Sequence, residues 1–169
     1  PALFAPAADP LLEELAARAA ALTRRRFGRT IQLYAPLYLS NACVNRCAYC
    51  GFSRERDIPR ITLGREELRA EAARLAASGF RHVLLVSGED RTALGPARLE
   101  QTLAELGRTF ASISLEVYPM REDEYRRMAA AGADGVALYQ EVYDPELYRR
   151  HHPAGPKSSW SGRLAAIEE

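Results

Sequence analysis

The residues most suited to chemistry are three cysteines within the segment Asn-Ala-Cys-Val-Asn-Arg-Cys-Ala-Tyr-Cys-Gly-Phe. Cys43, Cys47 and Cys50 are spaced Cys-x3-Cys-x2-Cys, and soft thiolates so close together suit iron–sulfur chemistry. Three thiolates bind three irons of a four-iron cubane and leave the fourth iron without a protein ligand. A cluster that only carries electrons has a fourth cysteine, so an open iron predicts that a small molecule binds there and is transformed.

Other kinds of cysteine site are weaker alternatives. Structural zinc needs four ligands, and the only histidines, His82, His151 and His152, are far from the cysteines in sequence. The adjacent pair His151 and His152 lies in a predicted loop, where neighbouring side chains point apart, so a metal or catalytic role is disfavoured. A disulfide scaffold requires an even number of cysteines and an export context. Chance clustering of buried cysteines stays open as an alternative.

Composition limits the partners of the chain. It has 169 residues with 23 basic and 22 acidic side chains, and the net charge of +1 indicates neither a nucleic-acid nor a membrane partner. No apolar run approaches the roughly 20 residues of a membrane span, and no signal peptide is visible. We therefore expect a cytoplasmic protein. The chain begins without Met and stops inside a predicted helix, which suggests a piece of a longer enzyme.

Helical and strand patterns alternate along the chain. After an N-terminal helix, each apolar run of a strand is followed by a helical pattern that begins or ends at Gly, Pro or a capping residue. The predicted elements are a helix over residues 10–26 beginning at Asp9-Pro10, a strand over 31–40, a helix capped by Thr62 and closed by Gly79, a strand over 82–86 buried on both faces, a helix from Pro96 to Gly107, a strand over 113–118, a helix over 122–131, a strand over 136–140, a helix beginning at Asp144-Pro145, and a last helix containing Trp160, Leu164 and Ile167.

This order predicts an α/β fold of parallel βαβ units with right-handed crossovers. A doubly wound sheet and a β/α barrel both fit it. The cysteine motif at the end of the first strand favours a TIM-type barrel, whose sites are built from the loops after the strands. Four strands are half of such a barrel, so we expect residues 1–30 to be a helical extension and residues 31–169 an incomplete barrel. Alone, this half should be inactive and poorly soluble or oligomeric, because its inner face and strand edges are uncovered.

Polar residues near the other strand ends are further candidates for the site. Ser87-Gly88-Glu89 follows the second strand, where a glycine lets the backbone approach a ligand closely. Glu116 lies within the third strand, and a carboxylate inside a barrel is costly unless it binds something. Its alternative is a solvated or helix-facing residue paired with an arginine. After the fourth strand, Gln140 and Glu141 are suited to ribose hydroxyls or to substrate, although Glu141 could also cap the next turn.

These segments together resemble one known family. The chain is similar to the 2-iminoacetate synthase family of tyrosine lyases, within the radical S-adenosylmethionine (SAM) superfamily, over nearly its whole length. The resemblance is carried by residues 28–33, residues 35–41, the cysteine segment, Leu84-Leu85-Val86-Ser87-Gly88-Glu89, Leu115-Glu116-Val117 and Tyr139-Gln140-Glu141.

The resemblance implies a [4Fe-4S] cluster whose open iron chelates SAM and cleaves it to a 5′-deoxyadenosyl radical. It implies that Tyr49 packs near the adenine and that Ser87, Gly88 and Glu89 bind the SAM amino group, and Glu116 and Gln140 are the other cofactor-binding candidates. The implied reaction splits the Cα–Cβ bond of L-tyrosine into 2-iminoacetate and 4-cresol for thiamine biosynthesis. The implied partners are a reductant such as flavodoxin or ferredoxin and the thiazole synthase.

Related enzymes share much of the pattern, and they stay open as alternatives. They are the hydrogenase maturase that also splits tyrosine, tryptophan lyase and, more distantly, biotin synthase. Tyr118 stands where the family pattern favours glutamine. A further alternative is a truncated or split product with no activity of its own.

Overall fold

The computed structural model describes residues 5–166, which form two compact units on either side of the Gln32–Leu33 junction. The first unit consists of a 3-10 helix, Pro6–Leu11, followed by α1, Leu12–Phe27. The predicted helix start at Asp9-Pro10 is wrong, because Pro10 lies inside the 3-10 turn and the α-helical bonds begin at Leu12. Gly28, with φ of 71°, ends α1 and donates its N–H to the carbonyl of Arg24.

The second unit is built on a parallel sheet. Across the described residues the strands are β1 (Tyr34–Ser40), β2 (His82–Ser87), β3 (Ser112–Glu116) and β4 (Gly135–Val136), in the order β1-β2-β3-β4. The helices that follow the first three strands are α2 (Arg65–Ala77), α3 (Pro96–Leu106) and α4 (Glu122–Ala130), and two shorter helices, α5 (Pro145–His151) and α6 (Trp160–Ala165), follow β4. The predicted alternation of strand and helix is therefore present.

The two faces of the sheet differ in burial. Leu37, Leu85 and Leu115 are paired across neighbouring strands and buried in the apolar core, together with α2, α3 and α4 side chains such as Leu68, Leu99 and Met128. On β2, however, Leu84 and Val86 are only partly buried, so the prediction of a strand buried on both faces is wrong. Within residues 33–166 the helices cover one face, and alternation leaves the other side chains on the open face.

Local boundaries also depart from the predictions. Thr62 does not cap α2, which begins after Gly64; its hydroxyl instead lies 2.7 Å from the Ser40 hydroxyl in a short bridge beside β1. The predicted fourth strand over 136–140 is reduced to Gly135–Val136, which pairs with β3 alone. Asp144 does cap α5, accepting the N–H of Leu147 at 2.7 Å, whereas Ile167 of the last predicted helix lies outside the described residues.

None of the helices within residues 5–166 combines the length and the apolar character that a membrane span requires.

Candidate functional site

A cavity of about 380 Å³ opens at the carboxyl ends of the strands, on the face of the sheet away from the helices. Tyr38, Val86 and Glu116 occupy paired positions on β1, β2 and β3 and line its floor. The same cavity is lined by the three cysteines, by Ser87-Gly88-Glu89 and by Glu141. Parallel strands present their carboxyl ends at one edge, so residues far apart in sequence meet there.

The cysteine side chains of this cavity fit an iron–sulfur cluster. Cys43, Cys47 and Cys50 are all free thiols, and Cys47 is buried while the other two are partly exposed. Within residues 5–166 no three His, Cys, Asp or Glu side chains surround a single point at metal-ion distance, whereas a cubane needs its three thiolates at three separate irons. Backbone N–H of Phe52 points at the Cys50 sulfur at 3.3 Å, the kind of contact that tunes thiolate-bound clusters.

Burial controls the protonation of the middle cysteine. It is the largest cause of a pKa of about 11 for the Cys47 thiol, to which Lys157 makes a lowering contribution and the charges of Cys50 and Cys43 make smaller raising ones. Cys47 is therefore protonated at neutral pH in the metal-free chain. Loading iron onto this sulfur must release a proton, because the thiolate is the ligand.

The loop after β2 packs directly on the segment that contains the three cysteines, residues 41–52, which we call the cysteine loop. Gly88 lies so close that a Cβ atom there would sit 2.3 Å from the carbonyl oxygen of Ala42 and 3.0 Å from Cys43 Cβ. Glu89 accepts the backbone N–H of Val44 through its carbonyl oxygen at 2.9 Å. The hydroxyl of Ser87 is buried without a partner among the described residues, so it is free to bond a ligand.

The remaining predicted site residues lie in different environments. Glu116 lines the cavity, where burial first and the Glu141 charge second raise the pKa of its carboxyl group above the ordinary value. Gln140 is buried and does not line the cavity; its Nε2 donates to the carbonyl of Val142 at 3.4 Å, and its Oε1 has no partner within residues 5–166. A cofactor role for Gln140 therefore stays a prediction. Its neighbour Glu141 is the residue whose side chain reaches the cavity.

Three side chains from three segments meet at the Tyr49 hydroxyl. Its hydroxyl lies 2.9 Å from Glu141 Oε1 and 2.8 Å from Nε2 of the buried His152. His152 Nδ1 lies 2.9 Å from the carbonyl of Tyr148 and must donate to it, which makes Nε2 an acceptor in the neutral ring that competes with Glu141 for the single hydrogen of the Tyr49 hydroxyl. Burial lowers the pKa of His152 and favours that neutral form. Burial and the bond to Glu141 raise the pKa of Tyr49, so the site holds a neutral phenol.

The backbone of Glu141 is strained in this position. Its φ is 64°, a left-handed conformation that a non-glycine residue rarely adopts. Such strain of about 1–3 kcal/mol persists where surrounding contacts determine the position, and it is most common at functional sites. Burial raises the pKa of the Glu141 carboxyl, but the ion pair with Lys157 and the bond from Tyr49 outweigh it, and the net pKa is lowered.

Two cations in the cavity were not among the residues that sequence patterns predict as the site. Lys157, the only lysine in a chain with 23 basic side chains, pairs with Glu141 and lies 5.9 Å from the Tyr49 ring centre. Arg163 is buried, lines the cavity and donates from Nε to the carbonyl of Tyr139 at 3.0 Å. None of the ion pairs found among residues 5–166 involves Arg163, so its charge is available to an anion.

We expect Lys157→Met to lower the free energy of unfolding by about 1 kcal/mol or less, because it leaves the partly exposed Glu141 carboxylate without its partner. Glu141 has a lowered pKa in the folded chain, so the ion pair stabilises fully above the ordinary Glu pKa of about 4.3 and its contribution is lost as the pH falls through the lowered value. Urea unfolding at pH 7 and at progressively lower pH measures both effects.

The matched control is the double variant Lys157→Met with Glu141→Gln. It should be less destabilised than the sum of the single variants, because both remove the same pair. Additive effects would show that the two side chains do not interact.

A larger groove of about 1050 Å³ lies between α2 and α3. Its walls carry Arg65, Arg69 and Arg98 together with small apolar side chains, and it includes none of the cysteines or other predicted site residues. We therefore place the candidate site at the strand ends.

Comparison with known proteins adds to this geometry. Residues 37–169 match the family model described as the radical SAM superfamily. The chain is 45% identical over 163 residues to 2-iminoacetate synthase of Escherichia coli, covering 96% of this chain and 43% of that protein. It is 30% identical over 157 residues to 3-methylornithine synthase of Methanosarcina barkeri, covering 92% of this chain and 44% of that one. The chain thus spans less than half the length of these curated relatives.

A solved structure resembles the fold closely. The crystal structure of HydG, a maturase of the [FeFe]-hydrogenase, superposes with a TM-score of 0.90 at 26% identity, covering 95% of this chain and 37% of that chain. This match confirms the predicted fold class, a partial radical SAM barrel. The predicted cofactors are confirmed at the level of the matched superfamily, whose members use a [4Fe-4S] cluster and SAM.

Proposed function

Because the chain belongs to the radical SAM superfamily, we propose that it acts in a lyase that splits the Cα–Cβ bond of L-tyrosine into 2-iminoacetate and 4-cresol. The two products together have the composition of tyrosine, because the hydrogen atom taken up by 5′-deoxyadenosine is replaced by a proton from water and an electron from the reductant. The observation that carries the proposal is the 45% identity to a 2-iminoacetate synthase across 96% of this chain. The 2-iminoacetate would supply part of the thiazole moiety of thiamine.

The three cysteines are the residues that would hold the cluster. A [4Fe-4S] cluster with SAM bound supplies a 5′-deoxyadenosyl radical for hydrogen abstraction. Cys47, the most buried of the three, anchors the loop, while Cys43 and Cys50 flank it at the cavity. Three thiolates and no fourth cysteine in the sequence support an open iron.

The cavity also offers groups for the two charged ends of an amino acid. Glu89 uses Oε2 to accept a hydrogen bond from Asn45, which leaves Oε1 to accept from the SAM ammonium group. The unpartnered hydroxyl of Ser87, the last residue of β2, belongs to the same cavity. Across the cavity, the guanidinium of Arg163 supplies a positive charge for a carboxylate of SAM or of tyrosine.

Tyr49 and Glu141 would bind the nucleoside part of SAM. Tyr49 presents a half-exposed ring in the cysteine loop, which suits stacking on adenine. Glu141 offers carboxylate oxygens for ribose hydroxyls, and its strained backbone supports a role in ligand binding. We further propose a flavodoxin or ferredoxin as the electron donor and the thiazole synthase as the recipient of 2-iminoacetate.

A chimera tests whether L-tyrosine is the substrate. In it, this chain replaces the matching 43% of the Escherichia coli 2-iminoacetate synthase. The anaerobically reconstituted chimera, given SAM, a reductant and L-tyrosine, should release 4-cresol and 5′-deoxyadenosine. Chromatography of both products measures the reaction. The same chimera carrying Cys47→Ala is the control and should release neither.

A growth test distinguishes a role in thiamine biosynthesis from the related lyase activities. The chimera should restore growth without added thiazole to an Escherichia coli strain that lacks its own enzyme. Release of 4-cresol without growth would favour a lyase of the hydrogenase-maturase type, in keeping with the fold match to HydG. Product from tryptophan but not from tyrosine would contradict the substrate assignment. A chimera with a full cluster and no SAM cleavage would support an inactive fragment.

A further inference from the structure

The side chain of Asn45 joins three loops at the candidate site. It is buried, and its Oδ1 accepts the backbone N–H of Lys157 at 2.8 Å. Its Nδ2 donates to Glu89 Oε2 at 2.6 Å and lies 3.8 Å from the sulfur of Cys43. A buried amide with all of these contacts connects the cysteine loop to the loop after β2 and to the segment following α5.

The partners fix the orientation of this amide. The backbone N–H of Lys157 can only donate, so it must face Oδ1, and the Glu89 carboxylate accepts from Nδ2. One hydrogen of Nδ2 is used by Glu89. The second is left for the sulfur of Cys43, which lies 3.8 Å from Nδ2.

Residues 151–157, which we name the bracing segment, hold the cysteine loop from the other side. Its carbonyl groups at His151 and Ala154 accept the backbone N–H groups of Ala48 and Arg46, each at 2.9 Å. Gly155, with φ of 94°, approaches so closely that a Cβ there would lie 2.4 Å from Asn45 Oδ1 and 2.7 Å from its Cα. The amide of Asn45 therefore fits only against a glycine.

We propose that Asn45 is a positioning residue that fixes Cys43 and donates an N–H···S hydrogen bond to it, so raising the reduction potential of the cluster. This inference rests on the proposed function, in which the three cysteines hold a [4Fe-4S] cluster. Hydrogen bonds to cluster sulfurs set reduction potentials, and groups behind the ligands change metal affinity about 10- to 100-fold. An N–H dipole directed at sulfur stabilises the more negative, reduced cluster, so its removal makes reduction harder.

The test compares Asn45→Ala and Gly155→Ala with Gly132→Ala in the anaerobically reconstituted chimera described above, whose unsubstituted form is called the parent chain. Gly155 and Gly132 both have positive φ, 94° and 111°, so alanine strains the backbone at each position. Only at Gly155 would the added Cβ meet Asn45; at Gly132 it meets nothing within 4 Å. Iron retention during challenge with a chelator and the midpoint potential, followed by electron paramagnetic resonance (EPR), are the two readouts.

We expect the parent chain and Gly132→Ala to share one potential and one rate of iron loss. Asn45→Ala and Gly155→Ala should lose iron at least about 10-fold faster and show a lower potential. Asn45→Asp keeps the shape and the acceptor for Lys157 but removes both donors, so it replaces Asn45→Ala if that variant does not fold.

The possible outcomes separate this inference from the proposed function. A folded Asn45→Ala, or failing it Asn45→Asp, with the potential and iron retention of the parent chain overturns the role of Asn45. Faster iron loss with an unchanged potential overturns the N–H···S bond. A parent chain that takes up no iron overturns the proposed function as well.

Discussion

Cys47→Ala is expected to abolish uptake of the cluster. The variant removes one of three thiolates, and a cubane bound by only two cysteines loses a second iron site to solvent. Cys47 is also the most buried of the three thiols, so no water or external thiol can easily take its place. Iron and acid-labile sulfide should fall from about four of each per chain to background in the anaerobically reconstituted protein.

The matched control for this loss is Val44→Ala, a change in the same loop at a side chain that does not line the cavity. It should reconstitute like the parent chain, because the backbone N–H bond from Val44 to Glu89 is retained. Full iron and sulfide in Cys47→Ala would show that the cysteines do not act jointly as cluster ligands.

Gly88→Val should disrupt the site almost as severely, through packing. Even a Cβ atom at this position would overlap the carbonyl of Ala42, which is 2.3 Å away and belongs to the backbone. The loop after β2 and the cysteine loop must then separate, at an expected cost of at least about 1–3 kcal/mol. We expect a lower unfolding midpoint in the apo chain, faster iron loss from the reconstituted chain and loss of SAM binding.

The control for Gly88→Val is Gly64→Ala, where a Cβ meets only the flexible Glu67 carboxylate at 3.3 Å. It should leave iron retention unchanged. The sequence pattern assigned Gly88 to close approach of the backbone to SAM, whereas the structure provides a second reason, its contact with Ala42 and Cys43. A Gly88→Val variant that holds its cluster and binds SAM normally would contradict both.

The order of the strands and helices could be predicted from the sequence, because it depends on the local periodicity of apolar residues. Short apolar runs at His82–Ser87 and Ser112–Glu116 became strands, and Pro96 and Gly107 bound α3 as their backbone preferences require. Errors arose where a tertiary contact decided the outcome. Thr62 has the side chain of a helix cap, but its hydroxyl bonds to that of Ser40. Beyond β4, Ala137 still donates its N–H to the Leu115 carbonyl, but no further residue is paired with β3.

The candidate site could be predicted from the sequence only in part, for the same reason. The cysteines are recognisable because their spacing is local, as is the Ser87-Gly88-Glu89 motif after a strand. The contacts of Asn45 with Lys157 and of Tyr49 with His152 join residues more than a hundred positions apart. A single lysine in an arginine-rich chain was the one available signal for Lys157, since a compact ammonium and a planar guanidinium are not interchangeable.

We propose that Cys43, Cys47 and Cys50 hold a four-iron cluster with one iron open to SAM. This arrangement is tested by the EPR spectrum of the reduced, reconstituted chimera, recorded before and after addition of SAM. We expect a four-iron signal that changes when SAM binds and that is missing from Cys47→Ala. A four-iron signal that SAM leaves unchanged, in a chain with full iron and sulfide, would contradict it.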